Sequence, residues 1–176
     1  MKEETICAGF GGQGIMLLGK MIAFGAMSQG LNTTWLPSYG AEVRGGTAHS
    51  MVIFSNDDIA SPLVSLCDTA IIMNKPSFSK FIGKIRPNGT LILNTTLVDN
   101  KVKRNDIKVV DIPMTEIAHS IGDVRVANII ALGIYISRKR LLKKEPMVEG
   151  INKAFPGNGG LIKINIKALE RGMNIR

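Results

Sequence analysis

Cysteine is scarce: Cys7 and Cys67 are the two thiols in 176 residues, far apart and without a Cys-x-x-Cys pair. Neither a disulfide framework nor a zinc or iron–sulfur site can be assembled from them, so any metal chemistry has to come from a partner. Aromatic residues make up 5% of the chain and do not interleave with its basic groups, which argues against a nucleic-acid surface. No run approaches the roughly 18 apolar residues of a membrane-spanning helix. Met1-Lys2-Glu3-Glu4 leads into an apolar stretch from Ile6 that Gln13 and Lys20 interrupt, with no small-x-small cleavage signal, so a cytoplasmic location is expected.

What is present is a foldable chain. With 45% hydrophobic and 20% charged residues, disorder, collagen and coiled coil are excluded, and residues 1–176 should make one domain with a real core. Nineteen glycines follow no Gly-X-Y period and must serve particular backbone positions. Charge is asymmetric: residues 1–74 hold three basic and six acidic groups, residues 75–176 nineteen basic and eight acidic. One surface is therefore expected to meet something anionic. The densest cluster, Arg138-Lys139-Arg140-Leu141-Leu142-Lys143-Lys144, reads as a solvated helix end whose cations complement the helix dipole.

Hydrophobic periodicity gives α/β alternation. Thr5–Ala8 reads as a strand, Ile15–Met27 as a helix, Asn32–Leu36 and Thr47–Phe54 as strands, and Pro37–Gly46 as the loop between them. That loop is too short for a crossover helix, so its strands should be antiparallel and the sheet mixed. Thr69–Met73, Thr90–Leu93 and Lys108–Val110 follow as buried strands, with a short helical segment around Ser77–Lys84. Met114–Ser120, Val124–Ser137, Pro146–Ala154 and Ile162–Arg171 read as helices. The expected fold is three-layer α/β/α with a Rossmann-like start and a mixed sheet.

Two loops carry the functional signal. Gly9-Phe10-Gly11-Gly12-Gln13-Gly14 has the G-x-G-x-x-G spacing between a strand and a helix, where bare amides and the helix dipole can hold a phosphate. The same glycines would equally serve a tight turn and close helix-to-sheet packing. Asn32–Leu36 offers neither the acid nor the base that would bind a dinucleotide ribose, so ordinary NAD(P) binding is disfavoured. The second loop, Ser38-Tyr39-Gly40-Ala41-Glu42-Val43-Arg44-Gly45-Gly46-Thr47, gathers an aromatic, an ion-pairing couple and three glycines. Arg44 brings a planar fork suited to carboxylate or phosphate, and the bland alternative is an internal Glu42–Arg44 pair.

No catalytic set assembles. His49 and His119 have no nucleophile or orienting acid at a useful spacing, and both are read as structural. Cys7 and Cys67 read as small buried hydrophobes, with activation of a thiol by a helix N-terminus as the minority reading for Cys7. Met114, Met147 and the other methionines read as core filler.

Together the two loops resemble the paired motifs of gamma subunits of 2-oxoacid:ferredoxin (acceptor) oxidoreductases. The resemblance continues through Asp57-Asp58-Ile59-Ala60-Ser61-Pro62, Cys67-Asp68 and Asn74-Lys75-Pro76, and is carried mainly by residues up to about Gly122. It implies a gamma-domain fold and a non-catalytic subunit of an enzyme that decarboxylates a 2-oxoacid to an acyl-coenzyme A and passes electrons to ferredoxin. Thiamine diphosphate, Mg2+ and 4Fe–4S clusters would lie in alpha and beta chains and, where present, a ferredoxin-like delta chain. None of these would be held here. Carried over by position, Gly9, Gly11, Gly12, Gln13, Gly14, Tyr39, Glu42, Arg44, Gly45 and Gly46 would form the surface turned toward that assembly and its coenzyme A side. The wording around Ser38-Tyr39-Gly40 and Arg44-Gly45-Gly46-Thr47 is more similar to 2-oxoglutarate-type than to pyruvate-type chains, with branched-chain 2-oxoacids as an alternative. Ala41 departs from a proline common in the family. The competing readings are a free-standing nucleotide- or flavin-binding oxidoreductase, resting on the glycine spacing, and a nucleic-acid module, resting on charge alone.

Overall fold

The structure is a computed structural model that describes residues 1–39 and 47–175. Six strands form one sheet in the order β2-β3-β1-β4-β5-β6. They are β1 (Lys2–Phe10), β2 (Asn32–Tyr39), β3 (Thr47–Ser55), β4 (Cys67–Ile72), β5 (Ile85–Asn94) and β6 (Lys108–Ile112). β3 runs antiparallel to both β1 and β2, whereas β4, β5 and β6 continue parallel to β1. The mixed sheet expected from the short Pro37–Gly46 connection is what forms.

Six helices accompany the strands: α1 (Ile15–Met27), α2 (Lys75–Phe81), α3 (Met114–Ile121), α4 (Ala127–Lys139), α5 (Lys144–Ala154) and α6 (Gly159–Met173). Short 3-10 turns at Ile82–Lys84 and Val124–Val126 precede β5 and α4. Alternation along β1 divides the core: Cys7 faces one cluster, roofed by α1, α3, α4, α5 and α6, while Ile6 and Ala8 face another beneath α2. The layers are therefore unequal. α4 is buried from Ala127 through Ile136, which explains its nearly unbroken apolar run between the sheet and α6. α4 and α6 cross where Gly133 and Gly172 meet; a Cβ on Gly172 would lie 2.2 Å from the Ile130 carbonyl oxygen, so only glycine admits this approach.

Two boundaries differ from the sequence pattern for a physical reason. β2 continues through Pro37 to Tyr39, where a loop is expected, because an edge strand has no outer neighbour that needs the missing proline N–H. The longer helix expected from Val124 opens instead as a 3-10 turn, with the Asp123 side chain accepting from the Arg125 N–H.

Ion pairs collect at the N-terminal end of β1, away from the glycine loop. On one face, buried Glu3 accepts from the Thr69 hydroxyl at 2.6 Å and meets Lys139 Nζ at 3.1 Å, so the basic cluster at the end of α4 is partly inward. Beside it, the fully buried Tyr135 hydroxyl lies 3.3 Å from Thr5 Oγ1. On the other face Arg86 binds Glu4 and, at 2.7 Å, Asp68.

Candidate functional site

The glycine loop occupies the C-terminal rim of the sheet, between β1 and β4. Connections leave this point in opposite directions: β1 is followed by α1 and β2 on one side, while β4, α2 and β5 continue on the other. Such a switch point leaves a crevice outside the carboxyl ends of the strands, where α/β proteins place ligands.

Gln13 fixes the loop. Its Oε1 accepts from the Phe10 N–H at 2.6 Å, its backbone N–H donates to the Phe10 carbonyl at 3.2 Å, and its Nε2 donates to the Met73 carbonyl at 3.3 Å. The loop end of β1 is thereby tied to the end of β4, where the Met73 N–H also donates to the Ala8 carbonyl at 2.8 Å. Gly14 caps α1 in the left-handed region at φ 69°, and a Cβ there would stand 2.2 Å from Asn128 Nδ2. Asn128, buried on the first turn of α4, donates to the Gly14 carbonyl at 3.1 Å. Gly11 and Gly12 are exposed, with no atom within 4 Å of the position a Cβ would take.

The start of α1 has no side-chain cap and no acidic residue in its first turn. Its leading amides and the positive end of its dipole thus face the rim, an arrangement suited to an anionic or hydrogen-bond-accepting group. Two clefts of about 190 Å³ each flank this point, and Gly12 and Arg125 line both. Arg125 is fixed by its two-residue neighbour: Nε and Nη2 grip the Asp123 carboxylate at 2.9 Å and 2.6 Å, which holds that carboxyl below its usual range. The other edge of the largely exposed guanidinium is left beside the exposed glycines.

Of the residues singled out in the sequence, Gly9, Gly11, Gly12, Gln13 and Gly14 come together at this rim, and Tyr39 joins them from the end of β2 with 70% of its surface exposed. Register places the flanks of the second loop alongside the first, since Thr47 pairs with Phe10 and Ala48 with both Gly9 and Tyr39. Glu42, Arg44, Gly45 and Gly46 lie outside the described residues. Arg125 and Asn128 were not apparent from the sequence. Their signal was weak, an arginine and an asparagine at a helix start, and only the fold brings α4 against the glycine loop.

The thiols are unsuited to chemistry. Cys7 is fully buried and its pKa is driven far up, against the reading in which a helix N-terminus activates it. Burial likewise pushes the Cys67 thiol up to about 12. Met114 and Met147 are buried as core residues. Among the described residues no three His, Cys, Asp or Glu side chains gather as a metal site, and no helix is long and apolar enough to cross a membrane.

Comparison with known proteins identifies the family. The family model of pyruvate ferredoxin/flavodoxin oxidoreductase matches residues 4–175. The chain is 37% identical over 166 residues to the ketoisovalerate oxidoreductase subunit VorA of Methanothermobacter marburgensis, covering 94% of this chain but 34% of that protein. It thus spans about a third of the length of that relative. It is 30% identical over 178 residues to the 2-oxoglutarate synthase subunit KorC of Methanocaldococcus jannaschii, covering 99% of this chain and 94% of that one. Among solved structures, the gamma subunit of keto/oxoacid ferredoxin oxidoreductase from Geobacter sulfurreducens superposes with a TM-score of 0.82 at 27% identity, over 97% of this chain and 95% of that one. The 2-oxoglutarate:ferredoxin oxidoreductase of Magnetococcus marinus, solved with 2-oxoglutarate, coenzyme A and succinyl-CoA bound, shares the fold at a TM-score of 0.89 and 23% identity, over 98% of this chain and 30% of that one. With a family model matching nearly its whole length, the chain belongs to the pyruvate ferredoxin/flavodoxin oxidoreductase family, whose relatives here are named as subunits of ketoisovalerate oxidoreductase and 2-oxoglutarate synthase.

Proposed function

We propose that residues 1–176 form a gamma-type domain of a multi-subunit 2-oxoacid:ferredoxin oxidoreductase, required for the activity of the complex and inactive alone. The reaction is the oxidative decarboxylation of a 2-oxoacid, with 2-oxoglutarate as the first choice, to an acyl-coenzyme A with ferredoxin as electron acceptor. Thiamine diphosphate, Mg2+ and iron–sulfur clusters belong in this reading to alpha, beta and, where present, delta partner chains. The contribution of this chain is a surface: the rim built from Gly9, Gly11, Gly12, Gln13, Gly14 and Tyr39, together with Glu42, Arg44, Gly45 and Gly46, turned toward the partner chains and the coenzyme A side.

The observation that carries the reading is the uncapped start of α1, opening between two clefts that share Gly12 and Arg125. Backbone donors, a helix dipole and an Asp123-paired guanidinium suit an anionic or carbonyl-rich partner surface and supply no nucleophile or base. A second reading of the substrate, a branched-chain 2-oxoacid, is favoured by the VorA relative, whose identity of 37% exceeds the 30% of the KorC relative.

The test is reconstitution. The chain and its partner subunits are purified separately, then assayed alone and recombined for coenzyme A-dependent ferredoxin reduction with 2-oxoglutarate, 3-methyl-2-oxobutanoate and pyruvate. Turnover is expected only after recombination and fastest with 2-oxoglutarate; a branched-chain preference establishes the second reading. Arg44→Ala should lower assembly or acyl-coenzyme A formation while leaving the isolated fold intact. Turnover by the isolated chain, or stoichiometric binding of FAD or NAD(P)H to it, would contradict the proposal.

A further inference from the structure

The sheet face beneath α2, opposite the helix that follows the glycine loop, carries a second polar concentration. His49 of β3 stands with its ring centroid 5.0 Å from that of Phe81. The Lys80 ammonium lies 5.2 Å and the Lys84 ammonium 5.8 Å from the same centroid. Three basic side chains therefore converge on one ring that is itself buried. Among the described residues neither lysine pairs with a carboxylate, although nine ion pairs form elsewhere.

The buried polar atoms point the same way. Five buried side-chain nitrogen or oxygen atoms lack a hydrogen-bond partner among the described residues, and three of them border α2: His49 Nδ1, Ser77 Oγ and Asn74 Nδ2. Orphaned groups of this kind call for an occupant, since buried polar atoms are ordinarily satisfied. Ser77 lies one helical turn before Phe81 on the inner face of α2. Imidazole N–H, hydroxyl and ammonium groups can all donate, and the two lysines add positive charge. Burial and the two lysines hold the His49 imidazole below its ordinary range. Its register neighbours Ala8 and Ser38 carry no charge to offset them.

We propose that the patch where β3 meets α2, formed by His49, Lys80 and Lys84 around the buried Phe81 ring, seats an anionic group, a carboxylate or a phosphate. The two ammoniums provide charge and the half-buried His49 imidazole provides a hydrogen bond, with the Phe81 ring holding the lysines close by cation–π contact. This site is independent of the subunit reading, because it lies on the other face of the sheet and uses none of the glycine-loop residues.

The histidines make the test direct, because His49 and His119 are the two in the chain. The imidazole resonances of the isotope-labelled full chain are followed against pH in chloride, acetate and phosphate at equal ionic strength. Acetate or phosphate should raise the apparent pKa of His49 by about one unit relative to chloride and leave His119 unmoved. The larger of the two shifts identifies the preferred anion. The Lys80→Ala/Lys84→Ala double variant, both changes at accessible lysine positions, should lose the shift while keeping its thermal midpoint. In the reconstituted complex without added anion, a raised His49 pKa assigns the anion to a partner carboxylate, and an unchanged one assigns it to a free anion if the isolated chain responded. Identical His49 titrations in all three salts, or a shift that survives in the double variant, would overturn the proposal.

Discussion

Replacing Gly14 by alanine tests whether the glycine loop is held as described. The residue sits at φ 69°, where an L side chain meets its own backbone at a cost of about 1–2 kcal/mol. The added methyl would also stand 2.2 Å from Asn128 Nδ2, so Asn128 must move and its hydrogen bond to the Gly14 carbonyl is lost, a further cost of about 0.5–1.5 kcal/mol. The expected destabilisation of the isolated chain is about 1.5–3.5 kcal/mol, read from the midpoint of a urea transition whose slope is unchanged. Gly11→Ala is the control, because its Cβ meets open space; its effect on stability should stay within about 0.5 kcal/mol. Asn128→Ala combined with Gly14→Ala should cost less than the sum of the two alone, since the clash and the bond involve the same pair. A Gly14→Ala chain as stable as the parent, or strict additivity with Asn128→Ala, would refute this account of the loop.

Two further expectations concern the interior. Burial raises the Glu3 pKa despite Thr69 and Lys139, so its ionisation opposes folding as pH climbs through the raised value and is harmless below the ordinary carboxylate range. Glu3→Gln should therefore gain stability relative to the parent on going from about pH 4 to pH 7, measured as the difference in urea midpoints; an opposite trend would mean the ion pair outweighs desolvation. Neither Cys7 nor Cys67 should react with a thiol reagent at about pH 8 until the chain is unfolded, whereupon both should react together; labelling of the folded chain would contradict their burial.

Much of the architecture was legible because its signals are local. The α1 boundaries, Ile15–Met27, follow from apolar periodicity after a glycine loop, and the antiparallel pairing of β2 with β3 follows from loop length alone. Where the reading fell short, the cause was tertiary. Pro37 resembles a strand terminator until β2 proves to be the sheet edge. Lys139 resembles a solvated helix end until α4 brings it to the buried Glu3. The same holds at the rim: Gly9 through Gly14 carry a spacing that can be read, whereas Arg125 and Asn128 gain meaning only when α4 lands beside them. His49 has no partner in sequence at all, and its neighbourhood is made by β3 pairing with β1 and by α2 folding over both.

Hydrogen exchange measured on the chain before and after recombination with its partner subunits tests the central claim most directly. Residues 9–17 and 123–128 should gain protection on assembly, with β6 at the far edge of the sheet little changed. Protection confined to β6 or to the N-terminal end of β1, with the glycine loop exchanging as fast in the complex as alone, would contradict it.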